Sequence, residues 1–353
     1  MAHLVVALSG GVDSAVATAR LVAAGHDVGA VHLVLQDAVD GRDAPAVQAA
    51  RRVADALGIA FEVWDLRAEF EASVLADFAR EYSAGRTPNP CLRCNRTIKF
   101  GALLDRALAA GFDGVATGHY ARLVRHGPVI ELHRAADRAK DQSYVLGVLS
   151  AHQLGRAWFP LGESTKAEVR AEAARLGLPV AHTGESMDLC FVPDGDTGAW
   201  LRTRLGERPG AIVDETGAVI GHHAGTYRFT IGQRKGLRLG SPAADGLPRY
   251  VVGVDATTGT VRVGPRNALR ADTMSCGAPT WCGAPPAGSG GFRAGVQVRA
   301  HAPEVAGTVH ADDARTDVEL DAPIHGVAPG QTAVFYDGTR VVGSATILAA
   351  SAV

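Results

Sequence analysis

Two groups of residues in this 353-residue chain have types and spacing suited to chemistry. The first is Ser9-Gly10-Gly11-Val12-Asp13-Ser14, between an apolar run ending at Leu8 and a stretch from Asp13 to Ala24 with helical apolar spacing. Two glycines let the backbone turn tightly and bring its amides close to a ligand. The start of a helix adds unpaired N–H groups and the positive end of a dipole, and the combination is an anion site. The Lys-Ser/Thr ending of a Walker A loop is absent, as is the G-x-G-x-x-G dinucleotide pattern. A tight strand-to-helix turn with Asp13 near the N-cap accounts for the same residues with no ligand at all.

The second group is built on cysteine. Thr87-Pro88-Asn89-Pro90-Cys91-Leu92-Arg93-Cys94-Asn95 is a proline-broken segment that opens into Lys99-Phe100-Gly101. Cys94 stands near a helix start with Arg93, Arg96 and Lys99 close in sequence, surroundings that predict a lowered thiol pKa. Cys190 follows far downstream in Ser186-Met187-Asp188-Leu189-Cys190-Phe191-Val192-Pro193-Asp194-Gly195; taken alone it reads as a buried small hydrophobe. Cys91-x-x-Cys94 has zinc-ligand spacing, but structural zinc takes four ligands and there is no second C-x-x-C. Nothing in the spacing of His182 adds one, so no metal ligands are assigned. Cys276 and Cys282 read as bystanders.

The elements that must carry these groups alternate. His3–Leu8, Val28–Leu35, Ile59–Leu66 and Gly114–Thr117 read as strands, with helices over 13–24, 45–57 and 101–110 between them. Strands separated by helices of this length imply an α/β, doubly wound parallel sheet. Past residue 204 turn pairs separate short β-rich runs at 250–254, 260–263, 296–299, 332–336 and 340–348, which implies further sheet or barrel structure. The Gly/Pro/Ala/Ser-rich stretch 277–291 reads as a loop or linker between a small middle domain and a C-terminal barrel. We divide the chain at 1–203, 204–272 and 273–353.

At 47% hydrophobic and 20% charged residues with a net charge of −2, the composition is that of a folded, core-forming chain. No apolar run approaches the ~20 residues of a membrane helix. Five cysteines are too few for a secreted disulfide framework. With no leader visible, the expected location is the cytoplasm, and nothing demands more than a monomer. The charge balance also excludes a globally basic nucleic-acid binder, so such a partner would be held by local patches.

Taken together, the phosphate loop, Asn-Pro-x-x-x-Cys-Asn and Ser-x-Asp-x-Cys-Phe-Val-Pro resemble the tRNA-specific 2-thiouridylases, which place sulfur on the wobble uridine of certain tRNAs. The resemblance runs from Leu4 to Ile347 and includes Thr117-Gly118-His119-Tyr120, Lys140-Asp141-Gln142-Ser143-Tyr144, Thr230 to Gly236, and Pro329-Gly330-Gln331. It implies an N-terminal adenine-nucleotide α-hydrolase-like domain of the ATP pyrophosphatase type, a small central domain and a C-terminal β-barrel. It implies ATP, accompanied by Mg²⁺, bound by Ala7, Leu8, Ser9, Gly10, Gly11, Val12, Asp13, Ser14, Leu33 and Gly118. Cys94 matches the nucleophile and Cys190 the persulfide carrier, joined after turnover in a transient disulfide. His119, Lys140, Asp141, Gln142 and Gln331 match positions that contact tRNA. The implied chemistry is adenylation of the uridine 2-oxygen followed by sulfur transfer, either by direct persulfide attack or through released sulfide. The sulfur would come from a persulfide-donating sulfur-relay protein or a cysteine desulfurase.

The chain departs from the family pattern at Cys91, where Asp is common, and at Arg299-Ala300, where Arg-Tyr is common. Three basic clusters, Arg93/Arg96/Lys99, Arg134/Arg138/Lys140 and Arg234/Lys235/Arg238, are candidates for the tRNA backbone. Two rival readings are an amide-forming ATP pyrophosphatase, in which the matched cysteines have no role, and a tRNA-binding module that turns over no ATP.

Overall fold

The computed structural model describes residues 1–37, 45–127, 129–181, 189–192, 195–239, 245–286 and 291–352. Its first layer is a five-stranded parallel sheet of β1 (His3–Ala7), β2 (Asp27–Val34), β3 (Phe61–Asp65), β4 (Gly114–Ala116) and β5 (Ala157–Trp158), in the order β3-β2-β1-β4-β5. Leu4, Val5 and Val6 of β1 are completely buried, as an unbroken apolar run in a strand covered on both faces must be. Helix α1 (Val12–Ala23) lies on one face through Ala15, Val16, Ala17 and Ala19, side chains small enough for close approach to the sheet. Helix α2 (Pro45–Leu57) packs beside it with Val47, Ala50, Val53 and Ala54. The chain reverses its direction of growth between β1 and β4. In open α/β sheets the crevice at such a reversal is where ligands bind.

Downstream, strands Gly210–Val213, Val219–His223, Tyr250–Asp255 and Thr260–Gly264 form a four-stranded sheet over Ile212, Phe229, Leu237, Val251, Val261 and Val263. The last part is a closed six-stranded barrel. Its first strand, Arg270–Cys276, pairs with both Thr316–His325 and the end of Arg340–Ser351, which closes the ring.

The expected helix over 101–110 is a helix over Leu103–Ala109 entered through a wide π-helical turn, Asn95–Ala102. The stretch 277–291 is not a linker between domains. A barrel strand precedes it, and Thr280–Trp281 within it pairs with Gly343 and Ser344, so it is a connection inside the barrel. Nor did the sequence reveal the hairpin Ala121–His126/Val129–Arg134. This hairpin leaves the catalytic layer and extends the barrel sheet through Arg340 opposite His133 and Val341 opposite Leu132. No helix among the described residues is long and apolar enough to cross a membrane.

Candidate active site

The phosphate loop follows β1 directly. Gly10 has φ +84°, and a Cβ there would meet the Ala46 carbonyl oxygen at 2.7 Å, so the turn admits only glycine. The Ser14 hydroxyl ties the loop together: it donates to the Gly11 carbonyl at 3.1 Å and accepts from the Ser9 amide at 3.2 Å. At the other side of the reversal, Gly118 lies so close to the loop that a Cβ would sit 2.7 Å from Asp13 C and Ser14 N. Between them opens a cleft of about 280 Å³ lined by Ala7, Leu8, Ser9, Asp13, Ser14, Leu33 and Gly118. Gly10, Gly11 and Val12 shape the loop without lining the cleft: Gly11 is the helix N-cap residue and Val12 is buried in the core.

Asp13 is not an N-cap. No side chain caps α1. The carboxylate instead receives the Lys166 ammonium at 2.6 and 2.7 Å and the Tyr120 hydroxyl at 2.8 Å. Lys166 opens helix α4 (Lys166–Arg175), whose Thr165/Glu168 capping box fixes its start and whose Glu172 clamps Arg20 of α1 at 2.6 Å. Sequence reasoning missed Lys166 because nothing local marks a lysine 153 residues away as a partner of the loop. His32, Leu35, Lys99, Thr117 and Gln142 also line the cleft.

A second cleft of about 370 Å³ lies at the seam between the first layer and the barrel; Asn89, Pro90, Cys91, Tyr144, Leu189, Arg299 and Gln331 contribute to its walls, so Cys91 lines it whereas Cys94 and Cys190 do not. Helix α3 (Pro90–Cys94) starts with the Asn89 side chain accepting from the Cys91 amide at 3.0 Å and with Pro90 in the first turn, where its missing N–H costs nothing. The barrel segment Pro329-Gly330-Gln331 docks just ahead of this helix. Thr87 N donates to Pro329 O at 2.7 Å, and Gly330, at φ +90°, leaves no room for a Cβ against Arg86 and Thr87. Phe191 and Val192 anchor the Cys190 segment: Phe191 is buried edge-on among Phe70, Phe78 and Trp200. Residues 182–188, 193 and 194 of that motif region, His182 included, lie outside the described residues.

The thiols differ from expectation. Cys94 is buried, and desolvation pushes its pKa up to about 11 against the partial relief given by Lys99; the basic neighbours in sequence do not produce a thiolate. Arg93 fails as a neighbour because it turns away to Asp77 and the Ser73 carbonyl. Cys190 is exposed rather than a core hydrophobe, with its thiol also raised by desolvation. Cys190 and Cys91 are both near enough to Cys94 for their charges to weigh on its thiol. Among the described residues none of the five cysteines is in a disulfide, and Cys276 and Cys282 are buried.

The residues matched to tRNA contacts fall in different places. His119 is buried in the nucleotide cleft, accepting or donating at Nδ1 with Thr117 Oγ1 at 2.7 Å, and desolvation holds its pKa well below the usual value. Gln142 lines the same cleft, its side-chain carbonyl accepting from the Tyr120 amide at 2.9 Å. Asp141 is consumed internally: it accepts from the amides of Ala135 and Ser143, the Ser143 hydroxyl and the Arg134 guanidinium. Lys140 precedes it, half-buried. Gln331 stands in the seam cleft that Cys91 lines. Of the basic clusters, Arg134 is withdrawn from any phosphate role. It pairs with Asp141 at 3.1 Å and with Glu304 of the barrel at 2.7 Å, and lies 3.6 Å from the Tyr336 ring centroid. Arg234, Lys235 and Arg238 are exposed on one loop.

A nucleotide-sized cleft at the reversal of a parallel sheet, with Cys91, Cys94 and Cys190 near one another, is the architecture of a HUP-type protein. Family models agree: "tRNA methyl transferase HUP domain" matches residues 2–194, "tRNA methyl transferase PRC-barrel domain" 198–265 and "Aminomethyltransferase beta-barrel domain" 271–347. Full-length relatives narrow this. The chain is 55% identical over 98% of its length to the tRNA-specific 2-thiouridylase MnmA of Streptomyces avermitilis, covering 94% of that protein. It is likewise 55% identical to that of Acidothermus cellulolyticus (98% of this chain, 97% of the relative) and 52% identical to that of Cutibacterium acnes (97% and 95%). The chain belongs to the tRNA-specific 2-thiouridylases, a family of tRNA sulfurtransferases.

Proposed function

We propose that this chain converts the wobble uridine of tRNA to 2-thiouridine, with ATP used in the nucleotide cleft and sulfur delivered by Cys190 and Cys94. The observation that carries this reading is that Lys99, in the wall of the nucleotide cleft, is near enough to Cys94 and Cys190 for its charge to act on both thiols. Paired thiols support sulfur transfer over the methyl transfer in the family models' descriptions.

The nucleotide cleft fits ATP. Loop amides and the α1 N-terminus face the phosphates, Gly10 and Gly118 permit close backbone approach, and Leu8, Leu33 and Leu35 give an apolar wall for the base. Asp13 is the carboxylate in this cleft, and Lys166 and Tyr120 already hold it. Mg²⁺ would therefore ride mainly on the phosphates. Adenylation makes the uracil 2-oxygen a leaving group. Lys166 beside the loop is neutralised by Asp13, so the loop amides and the α1 N-terminus meet the phosphate charge that develops.

Cys190 is exposed, where a donor protein can load it with sulfur, while Cys94 is buried and near enough for the Cys190 charge to act on it. The loaded sulfur attacks the activated carbon directly or leaves as sulfide when Cys94 attacks; either way Cys94 and Cys190 end as a disulfide that a reductant reopens. Asn89, Arg299 and Gln331 face the base, which must be splayed from the anticodon loop to enter.

The test is nucleoside mass spectrometry of unmodified tRNA after incubation with ATP, Mg²⁺ and a persulfide source. The expected result is 2-thiouridine with wild type and none with Cys190→Ser. Thiolation that survives Cys190→Ser sinks this assignment. Tight tRNA binding with no thiolation, under the same conditions, favours the binding-module reading.

A further inference from the structure

Sulfur transfer brings two anions together. The attacking sulfur is a thiolate or persulfide anion, and the carbon it approaches carries an oxygen bonded to an anionic nucleotide phosphate. Two unit charges ~4 Å apart repel by ~4 kcal/mol at an effective dielectric of ~20, so a cation between them is needed. The described residues that line the nucleotide cleft include one, Lys99.

Three observations set Lys99 apart. First, its backbone lies in the π-helical turn Asn95–Ala102, whose wide i→i+5 pattern brings positions five apart back toward one face; Cys94, at the start of that turn, is five residues before Lys99. Second, the wide turn is built in. The Leu103 amide donates to the Ile98 carbonyl, and the Gln153 side chain donates to the Arg96 and Phe100 carbonyls at 2.9 and 2.7 Å. Gly101 meanwhile fits against Arg96 O, where a Cβ would stand at 3.0 Å. Third, most of the cations around it are held by carboxylates and Lys99 is not; Arg96, which likewise has no carboxylate partner among the described residues, is exposed in a different cleft. Lys166 is held by Asp13, Arg20 by Glu172, Arg93 by Asp77, and Arg134 by Asp141 and Glu304. Among the described residues, Lys99 has no carboxylate or hydrogen-bond partner.

We propose that Lys99 is the charge shared by the nucleotide cleft and the thiols: half-buried in the cleft wall five residues after Cys94, its ammonium stabilises anionic sulfur at Cys94 and Cys190 while the nucleotide phosphate is close by. This rests on the sulfur-transfer reading above. The lysine keeps its protons throughout, and the thiol proton leaves to solvent. In support, Lys99 favours the charged form of both thiols against desolvation, the groups acting on Cys94 being Lys99, Cys190 and Cys91. It also disfavours protonation of His119 in the same cleft.

The test compares Lys99→Gln and Lys99→Arg with wild type in the full-length protein. One readout is the rate at which neutral iodoacetamide labels Cys94 and Cys190 at pH 8, followed by peptide mass spectrometry. The other is the ratio of 2-thiouridine formed to pyrophosphate released with tRNA, ATP and a persulfide source. The proposal expects labelling of both thiols to slow about tenfold in Lys99→Gln, a shift of about one pKa unit. It also expects the ratio to fall at least as far, with both restored by Lys99→Arg. Lys99→Gln labelling at the wild-type rate overturns it, as does a loss that Lys99→Arg does not rescue. Wild-type thiolation that persists in Cys190→Ser instead overturns the underlying sulfur-transfer reading, whatever Lys99 does.

Discussion

The two clefts are built in opposite ways. The nucleotide cleft belongs to one layer, at the end of two neighbouring parallel strands, and its recognition groups are largely backbone amides in a loop that glycine alone can follow. The seam cleft lined by Cys91 has no such local frame. Its walls come from the segment before Asn95, the Leu189–Val192 segment and the barrel strands around Arg299 and Gln331, and it exists only when the barrel is docked. That docking is polar and buried. Arg134 of the hairpin bridges Asp141 and Glu304, and the Tyr144 hydroxyl, directed at the barrel carbonyls Val298 and Thr332, is 2.9 Å from the latter. Anion binding is thus cheap for a sequence to specify, whereas a sheltered thiol pair needs the tertiary structure to bring distant segments together.

Separate lesions should separate these functions. The largest effect is expected from Cys94→Ser: 2-thiouridine formation falls at least ~10³-fold, while calorimetry with a non-hydrolysable ATP analogue gives an unchanged affinity. Next is Asp141→Ala, which leaves Arg134 buried with its inner partner gone and costs ~3 kcal/mol in urea unfolding; thiolation is lost with the docked seam, but nucleotide affinity changes less than twofold. Equal loss in both clefts would break the comparison. Gly118→Ala is the converse lesion. Its Cβ meets loop backbone and weakens nucleotide binding ~30-fold, about 2 kcal/mol, with iodoacetamide labelling of Cys190 unaltered.

Proton dependence sharpens the contrast. Because the Cys94 pKa lies above neutrality, its thiolate fraction and labelling rate rise about tenfold per pH unit from pH 7 to 9. Nucleotide binding stays flat over the same interval, since His119 is already neutral there. The smallest effect falls outside both clefts: Arg234→Ala with Lys235→Ala lowers tRNA affinity several-fold and reduces the salt slope by ~1–2. Nucleotide affinity is again untouched.

The legible part of this protein is what short segments decide by themselves. His3–Leu8 reads as a buried strand and 45–57 as an amphipathic helix because period and capping are local, and Pro45–Leu57 forms where the pattern predicts it. The phosphate loop is equally local: a Gly-Gly turn between strand and helix defines its anion site wherever the rest of the chain goes. The Cys91–Asn95 and Cys190 motifs could be recognised but not placed. Their electrostatics were misjudged for that reason, since adjacency in sequence put Arg93 beside Cys94 whereas the fold sends it to Asp77 and buries the thiol. The π-helical turn, the Asp13–Lys166 pair and the hairpin that joins the barrel sheet had no sequence signal at all. Each depends on where a distant partner ends up. Backbone geometry and hydrophobic period are properties of a few consecutive residues, so the sequence alone determined the layers and the phosphate loop. Burial, charge pairing and the meeting of thiols are properties of the packed chain, and only the tertiary structure decided them.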